Sequence, residues 1–196
     1  VLLYLNGKIE YREMFYEAFG DSVANTKFLL KAMAQFTVSL VSSNSKYDKF
    51  IDEKESFSEQ ELNGLTLFNK HCNKCHTAPL FNSNKFASNG LPIDTAFQDI
   101  GRYRVTTKAS DSLKFKVPTL RNIAHTYPYM HDGRFKKLKD VINHYTDGID
   151  ITNRHLNDEL RTKIVLNDNE KKDLLSFLYT LTDKEFLYNP KFSFPR

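Results

Sequence analysis

Residues 71–76 read His71-Cys72-Asn73-Lys74-Cys75-His76, and the two cysteines in this run are the only two among 196 residues. Cys-x-x-Cys-His is the attachment signature for c-type haem. The chemistry sets the spacing: two thiols add to the two vinyl groups of one porphyrin, and the adjacent histidine turns under the iron as its proximal ligand. Cys72 and Cys75 are therefore the expected thioether anchors and His76 the expected iron ligand, giving one covalent haem c per chain. A thioredoxin-type dithiol would need a βαβ setting, and no strand has support in this sequence. A structural zinc site would need two more Cys or His at close spacing. The remaining histidines, His71, His125, His131, His144 and His155, offer no such pair. A disulfide across two residues would explain neither His76 nor the helix leading into the motif.

That helix is signalled by a capping box, Ser58 with Glu61, followed by Leu62, Leu65 and Phe68 on one face up to His71. Beyond the motif, residues 77–118 contain Pro79, Gly90, Pro92 and Gly101 and no long periodic run, which is the pattern of a long loop region that wraps a ligand. A helix is expected over 138–145, ending near Gly148. Another follows the Asn167–Glu170 box, with Leu174, Leu175, Leu178 and Leu181 facing a core. Upstream, a helix over 11–19 stops at Gly20, where a left-handed cap fits. Residues 24–42 place Leu29, Met33, Phe36 and Leu40 on one amphipathic stripe. Residues 42–58 are polar and charged without an apolar period and read as a linker. The fold class is mainly α, divided into a helical extension at 1–50, a linker at 51–57 and a domain at 58–196.

With 40% hydrophobic and 27% charged residues, the composition is that of a soluble globular protein. A chain of this size buries roughly 70% of its unfolded surface and needs no disulfide scaffold. The longest uncharged stretch, 32–45, is too short and too polar to cross a bilayer. The net charge is +4, with Lys and Arg interleaved with Asp and Glu. This implies a solvated surface, and no nucleic-acid motif is present. The chain starts at Val1 without a secretory-signal pattern, so either a leader has been removed or the chain is part of something longer. Haem c is attached outside the cytoplasm, which makes a periplasmic or other extracytoplasmic location the expectation.

An iron held by His76 has a sixth position, for which the sequence nominates Met130, His131, His144 and Tyr145. A Met ligand raises the potential, whereas a phenolate favours ferric and higher oxidation states. Ligand chemistry alone leans slightly to Met130, although each of the four is more often a packing or surface residue.

The run Lys116-Val117-Pro118-Thr119-Leu120-Arg121-Asn122-Ile123, followed by Thr126-Tyr127-Pro128-Tyr129-Met130-His131-Asp132-Gly133, resembles the signature of the bacterial di-haem cytochrome c peroxidase and MauG family. Leu67-Phe68, Pro79-Leu80-Phe81 and Asp99-Ile100-Gly101-Arg102 are similar to that family as well. The resemblance implies a cytochrome c-like domain carrying the family's C-terminal haem. Residues 1–50 then resemble helices that belong to the N-terminal haem domain. In the peroxidases a Met fourteen positions beyond the His of His-Asp-Gly is the distal ligand. Counting from His131 reaches Tyr145, which is similar to the MauG branch and ranks Tyr145 above Met130. The resemblance also implies calcium held partly by the backbone carbonyls of Thr126 and Pro128, a suitable donor type for that cation. The simpler role of Pro128 is a fixed turn.

Members of the family carry two Cys-x-x-Cys-His motifs, and peroxide reacts at the N-terminal haem. This chain has one motif and no tryptophan, so neither the peroxide site nor the Trp between the haems lies in it, and no catalytic residue is expected here. The implied function is the electron-transfer haem of a peroxidase-like oxidoreductase that reduces hydrogen peroxide, or of a MauG-like variant. Its implied partners are a small redox donor of cytochrome c or cupredoxin type, the missing N-terminal haem domain, and a second copy in a homodimer. Two other readings stand beside it: a mono-haem electron carrier or binding module without turnover, and a helical domain whose motif carries no haem. Arg134, Lys136, Lys137 and Lys139 are read as the solvated start of a helix in preference to a surface that steers an acidic donor.

Overall fold

A computed structural model describes residues 1–93 and 98–193, so residues 94–97 of the long loop region and the last three residues of the expected 58–196 domain lie outside the described residues. The chain forms two compact units. The smaller comprises residues 1–42 with the segment beginning at Tyr188, and the larger is Ser43–Leu187.

In the smaller unit, α1 is Leu2–Asn6, α2 is Ile9–Phe19 and α3 is Thr26–Ser39. Gly20 ends α2 in the left-handed region at φ 74°, its N–H bonding to the Tyr16 carbonyl, as the cap predicted. Asn6 clasps the next turn through both ends of its amide, donating to the Ala24 carbonyl at 2.9 Å and accepting from the Ala24 N–H at 2.7 Å. Phe19 stacks on Phe28 at 4.7 Å between ring centroids. The stripe on α3 forms as a helix face, but none of its residues is buried, and Met33 and Phe36 are 58% and 51% exposed.

The larger unit begins differently from the linker expectation. Ser45 and Asp48 form a capping box that starts α4, Lys46–Ile51, and Tyr47 is buried in the core. The apolar contacts of this polar stretch come mainly from Tyr47, Phe50 and Phe57, a spacing that produces no helical period. Phe50 stacks on Phe57 at 4.0 Å, and Tyr47 meets Phe81 edge-on at 4.8 Å. The compact boundary therefore falls at Ser42/Ser43, and residues 188–193 pack with the N-terminal helices.

Both remaining capping boxes are present. They open α5, Glu59–His71, and α8, Asp168–Tyr179. These two helices pack against each other around Phe68 and Phe177, whose rings lie 5.0 Å apart. Leu174, Leu178 and Leu181 are buried as expected, whereas Leu62 is exposed. The α5 face turned to α8 carries Gly64: a Cβ there would sit 2.0 Å from the Asp173 carbonyl oxygen and 2.7 Å from the Phe177 Cβ. In an exposed helix, Gly→Ala gains about 1 kcal/mol. At this crossing the sign reverses, and Gly64→Ala should cost at least about 1–3 kcal/mol of overpacking, read as a lowered thermal midpoint. A stabilised Gly64→Ala protein would show that the helices are farther apart than this.

The long loop region between the core helices contains a two-stranded antiparallel pair, β1 Phe86–Ala87 with β2 Phe115–Lys116, and the short α6, Tyr103–Thr106. Strands of two residues are too short to leave an alternating pattern, so the sequence showed none. The expected 138–145 helix is α7, Leu138–Asn143, continued by a π turn over His144–Gly148. Finally, α9 spans Lys184–Leu187. Among the described residues, no helix is long and apolar enough to cross a membrane.

Candidate haem-attachment site

The cysteine motif sits where α5 ends. Cys72 caps the helix through its N–H to the Phe68 carbonyl at 2.7 Å, and the chain then turns tightly, with Cys75 N–H and His76 N–H both donating to the Cys72 carbonyl at 3.2 and 3.0 Å. Both thiols are free. Burial pushes the Cys72 thiol up to about 12, and its neighbour Cys75 adds to the rise. Burial also raises the Cys75 thiol, helped by Glu159. Both thiols are therefore protonated at neutral pH in the free chain.

His76 is locked by its own loop. Its Nδ1 lies 3.2 Å from the Phe81 carbonyl oxygen and 3.1 Å from that of Pro118. Two acceptors at one ring nitrogen make Nδ1 the protonated one and leave the Nε2 lone pair free. Burial lowers the His76 pKa against the pull of those two carbonyls, so the ring is neutral. A neutral imidazole with Nδ1–H fixed to backbone carbonyl is the usual arrangement of a metal-binding histidine.

The two carbonyls are held in turn by the stretches around Pro79-Leu80-Phe81 and Pro118–Arg121. The Phe81 carbonyl also accepts the Leu120 N–H at 3.1 Å, and Thr119 Oγ1 donates to the Leu80 carbonyl at 2.6 Å. Arg121 Nε donates to the Pro79 carbonyl at 2.9 Å, while its two Nη atoms grip Asp48 at 2.9 and 2.8 Å. Burial alone would raise the Asp48 carboxyl, but the bonds from Arg121 and Ser45 outweigh it and hold the group below the usual carboxylate range.

Tyr145 lies in the π turn, a helix irregularity that often marks functional sites. Burial pushes its hydroxyl up to about 12, a hydrogen bond from the Asn89 side chain opposes the rise, and the nearness of Cys72 and Cys75 adds to it. The residue nominated by counting from His131 is thus close to both thiols. It also lines a small cavity whose walls are Ile149, Ile151, Leu160 and Ile164 on one side and Thr146, Asp147 and Lys163 on the other; the cysteine motif does not line it.

Of the other nominated ligands, Met130 and His144 both meet Asn89. Asn89 Nδ2 donates to Met130 Sδ at 3.3 Å, and the Asn89 carbonyl bonds His144 Nε2 at 2.9 Å. Met130 holds φ +72°, a strained setting for a bulky residue. His131 instead stacks on Phe115 at 3.8 Å, 14° from parallel. Asn89 escaped sequence reasoning, because Asn-Gly at 89–90 signals only a turn. Arg121, Asp48 and Gly64 were likewise not nominated as individual residues.

The basic cluster divides. Arg134 is engaged, with Nε on Asp132 at 2.8 Å and Nη2 on the Pro92 carbonyl at 2.9 Å, whereas Lys136, Lys137 and Lys139 are exposed. Thr126 and Pro128 are exposed, and the Tyr127–Pro128 peptide is cis, in a turn. Among the described residues, no group of three or more His, Cys, Asp or Glu could hold a metal ion.

The family model described as di-haem cytochrome c peroxidase matches residues 1–56. Cytochrome c551 peroxidase of Nitrosomonas europaea is 35% identical over 190 residues, covering 95% of this chain and 52% of that protein. The chain belongs to the di-haem cytochrome c peroxidase and MauG family. A methylamine utilization protein MauG from Methylophilus methylotrophus is 32% identical, covering 87% of this chain and 51% of that protein. The crystal structure of a MauG-like protein associated with microbial copper homeostasis superposes with a TM-score of 0.85 at 30% identity, covering 99% of this chain and 64% of that one. The chain thus spans about half the length of the curated relatives it matches. Haem c is the cofactor of this family, whose di-haem members carry a second haem domain. The donor set described above fits that cofactor: two thiols in one turn, a neutral imidazole with a free Nε2, and a phenol close to the thiols.

Proposed function

We propose that this chain carries one haem c, bound through Cys72 and Cys75 and held at the iron by His76 and Tyr145, and that it is the electron-transfer part of a di-haem peroxidase-like oxidoreductase. The observation that carries this reading is the His76 ring, whose Nδ1 is fixed by the Phe81 and Pro118 carbonyls so that Nε2 faces away with its lone pair. When bound, the iron supplies one-electron chemistry, and the protein sets its ligands and its access to solvent. His76 supplies a neutral donor in one orientation. Tyr145, as an anionic oxygen donor, favours the ferric and higher states, which suits a MauG-like role in holding oxidising equivalents.

In the complete protein this domain would relay electrons from a small cytochrome c or cupredoxin toward the N-terminal haem domain; reducing one hydrogen peroxide to two waters would consume two electrons and two protons. Residues 1–42 belong on this reading to the N-terminal haem domain, with Ser43–Leu187, which buries Tyr47 and Phe57 in its core, as the haem domain proper. The uncovered stripe of α3 supports that division. Calcium on the Thr126 and Pro128 carbonyls, a homodimer and a periplasmic location complete the proposal. Lys136, Lys137 and Lys139 serve as solvated surface.

Protein matured outside the cytoplasm should give one haem per chain by pyridine haemochrome and iron analysis. Tyr145→Phe should then lose the six-coordinate ferric spectrum of the parent while keeping its haem. An unchanged spectrum would remove Tyr145 as the ligand, and absent haem would overturn the whole reading.

A further inference from the structure

Resting on the electron-transfer reading above, we infer that the surface around β1 and β2 docks a small redox protein that presents an acidic patch. The net charge of +4 is not spread evenly along the chain. Residues 72–120, from the first cysteine to the end of the stretch that clamps His76, carry seven Lys or Arg and three Asp or Glu, while the other 147 residues carry 21 of each. One-sided charge of this kind steers an oppositely charged partner and raises association rates by about 10- to 1000-fold at low salt. Two of the three acids are already taken by arginines, Asp111 by Arg102 at 3.2 Å and Asp99 by Arg104 at 3.9 Å. Among the described residues, Lys74, Lys85, Lys108, Lys114 and Lys116 form no ion pair, and all but Lys114 are exposed.

Backbone pairing assembles this surface. Phe86 stands opposite Lys116 in the ladder, so their side chains share one face. The Arg102 guanidinium lies 4.1 Å from the Phe86 ring centroid, and the Arg102 N–H donates to the Lys114 carbonyl at 2.9 Å. Val105, one turn on in α6, is 87% exposed. Apolar side chains bordered by cations have the make-up of a small transient interface, in which the centre excludes water and the rim sets the approach. The same strand leads to the iron ligand. Lys116 is followed by the buried Val117, whose N–H bonds the Lys85 carbonyl at 3.0 Å, and then by Pro118, whose carbonyl oxygen lies 3.1 Å from His76 Nδ1. A partner seated on β2 is therefore two residues along the chain from the hydrogen bond to the proximal ligand. Each encounter passes one electron and no atoms: the donor is oxidised by one electron, this domain is reduced by one, and no bond forms or breaks.

The test uses the haem-loaded protein, reduced with dithionite and mixed in a stopped flow with oxidised plastocyanin, a cupredoxin with an acidic patch; this is the donor step run in reverse through the same encounter. Raising the ionic strength from about 10 to about 150 mM shortens the screening length from about 30 to about 8 Å and should slow the reaction at least about tenfold. Lys85→Glu/Lys114→Glu/Lys116→Glu should slow it by a similar factor at low salt and reverse or remove the salt dependence, with haem content and absorption spectrum as in the parent. Lys136→Glu/Lys137→Glu/Lys139→Glu changes the net charge by the same amount and should alter the rate by less than about threefold, so the difference between the two triple variants reports position and not total charge. If the two behave alike, or the parent rate does not depend on salt, the docking surface is overturned and the haem reading stands. If the first triple variant loses binding to phosphatidylglycerol vesicles while its plastocyanin rate is unchanged, the patch faces a membrane and the inference is overturned. A parent without haem fails the electron-transfer reading, and the docking surface falls with it.

Discussion

Replacing Arg121 by methionine should cost the larger unit about 3–5 kcal/mol, the range for removing one partner of a buried ion pair. Folded domains are stable by only about 5–15 kcal/mol, so this single change removes a large share of the total. The side chains of Arg121 and Asp48 are 9% and 16% exposed, and without the guanidinium the carboxylate keeps its burial and loses two charge-assisted bonds. The Pro79 carbonyl loses its donor as well, and the Pro79–Phe81 turn is the one that fixes His76. Urea unfolding of the single variant and of Arg121→Met/Asp48→Leu tests this, because replacing both partners by apolar groups is often close to neutral. The double variant should recover part of the loss. Recovery is incomplete because Asp48 also accepts from Ser45 N–H and Oγ at the start of α4. Equal stability of parent and single variant would sink the idea.

The same pair makes the cost of Arg121→Met depend on pH. In the parent the folded Asp48 carboxyl lies below its ordinary value of about 3.9, because Arg121 and Ser45 outweigh its burial. Its contribution to stability is therefore complete above about pH 4 and is lost as pH falls through the lowered folded value. Without Arg121 the same group loses its largest opposing contribution and its folded value rises relative to the parent. The stability gap between parent and Arg121→Met should therefore narrow as pH falls through the lowered Asp48 value, since protonation removes the charge that Arg121 compensates. Urea midpoints across that range read the difference directly.

Local chemistry was legible in the sequence wherever one residue type at one spacing admits few structures. The Ser58–Glu61 and Asn167–Glu170 boxes open their helices, and Gly20 takes the left-handed cap. Features that depend on a partner distant in sequence were not legible. Gly64 looks like a weak point in a helix until α8 is laid across it. Tyr47 sits in a stretch of linker composition until its ring meets Phe81 and Phe177. At the site, the motif named Cys72, Cys75 and His76 at once, since bond geometry sets their spacing. The choice among Met130, His131, His144 and Tyr145 could not come from ligand chemistry alone, because all four types bind iron. His144 and Tyr145 lie in a π turn, and a π turn leaves no periodic mark in the sequence.

His76→Gly should keep the thioether attachment and lose the spectrum of an axially ligated low-spin haem, since the two cysteines, not the histidine, form the covalent bonds. Each lost hydrogen bond to Phe81 and Pro118 is worth about 1 kcal/mol, so the variant should fold, with a cavity the size of the ring. The two carbonyls that held Nδ1 remain at that cavity, the Phe81 carbonyl held by the Leu120 N–H and its turn by the bonds of Thr119 to Leu80 and of Arg121 to Pro79, and they can accept the N–H of a free imidazole in the same orientation. Millimolar imidazole should therefore restore the parent spectrum, and N-methylimidazole, which has no N–H to donate, should restore it much less. His71, whose Nε2 is buried at the end of α5, provides the control: His71→Gln should leave the spectrum as it is. If His76→Gly kept low-spin ligation without imidazole, the proximal donor would be another residue, and the clamp around His76 would be part of the loop's packing alone.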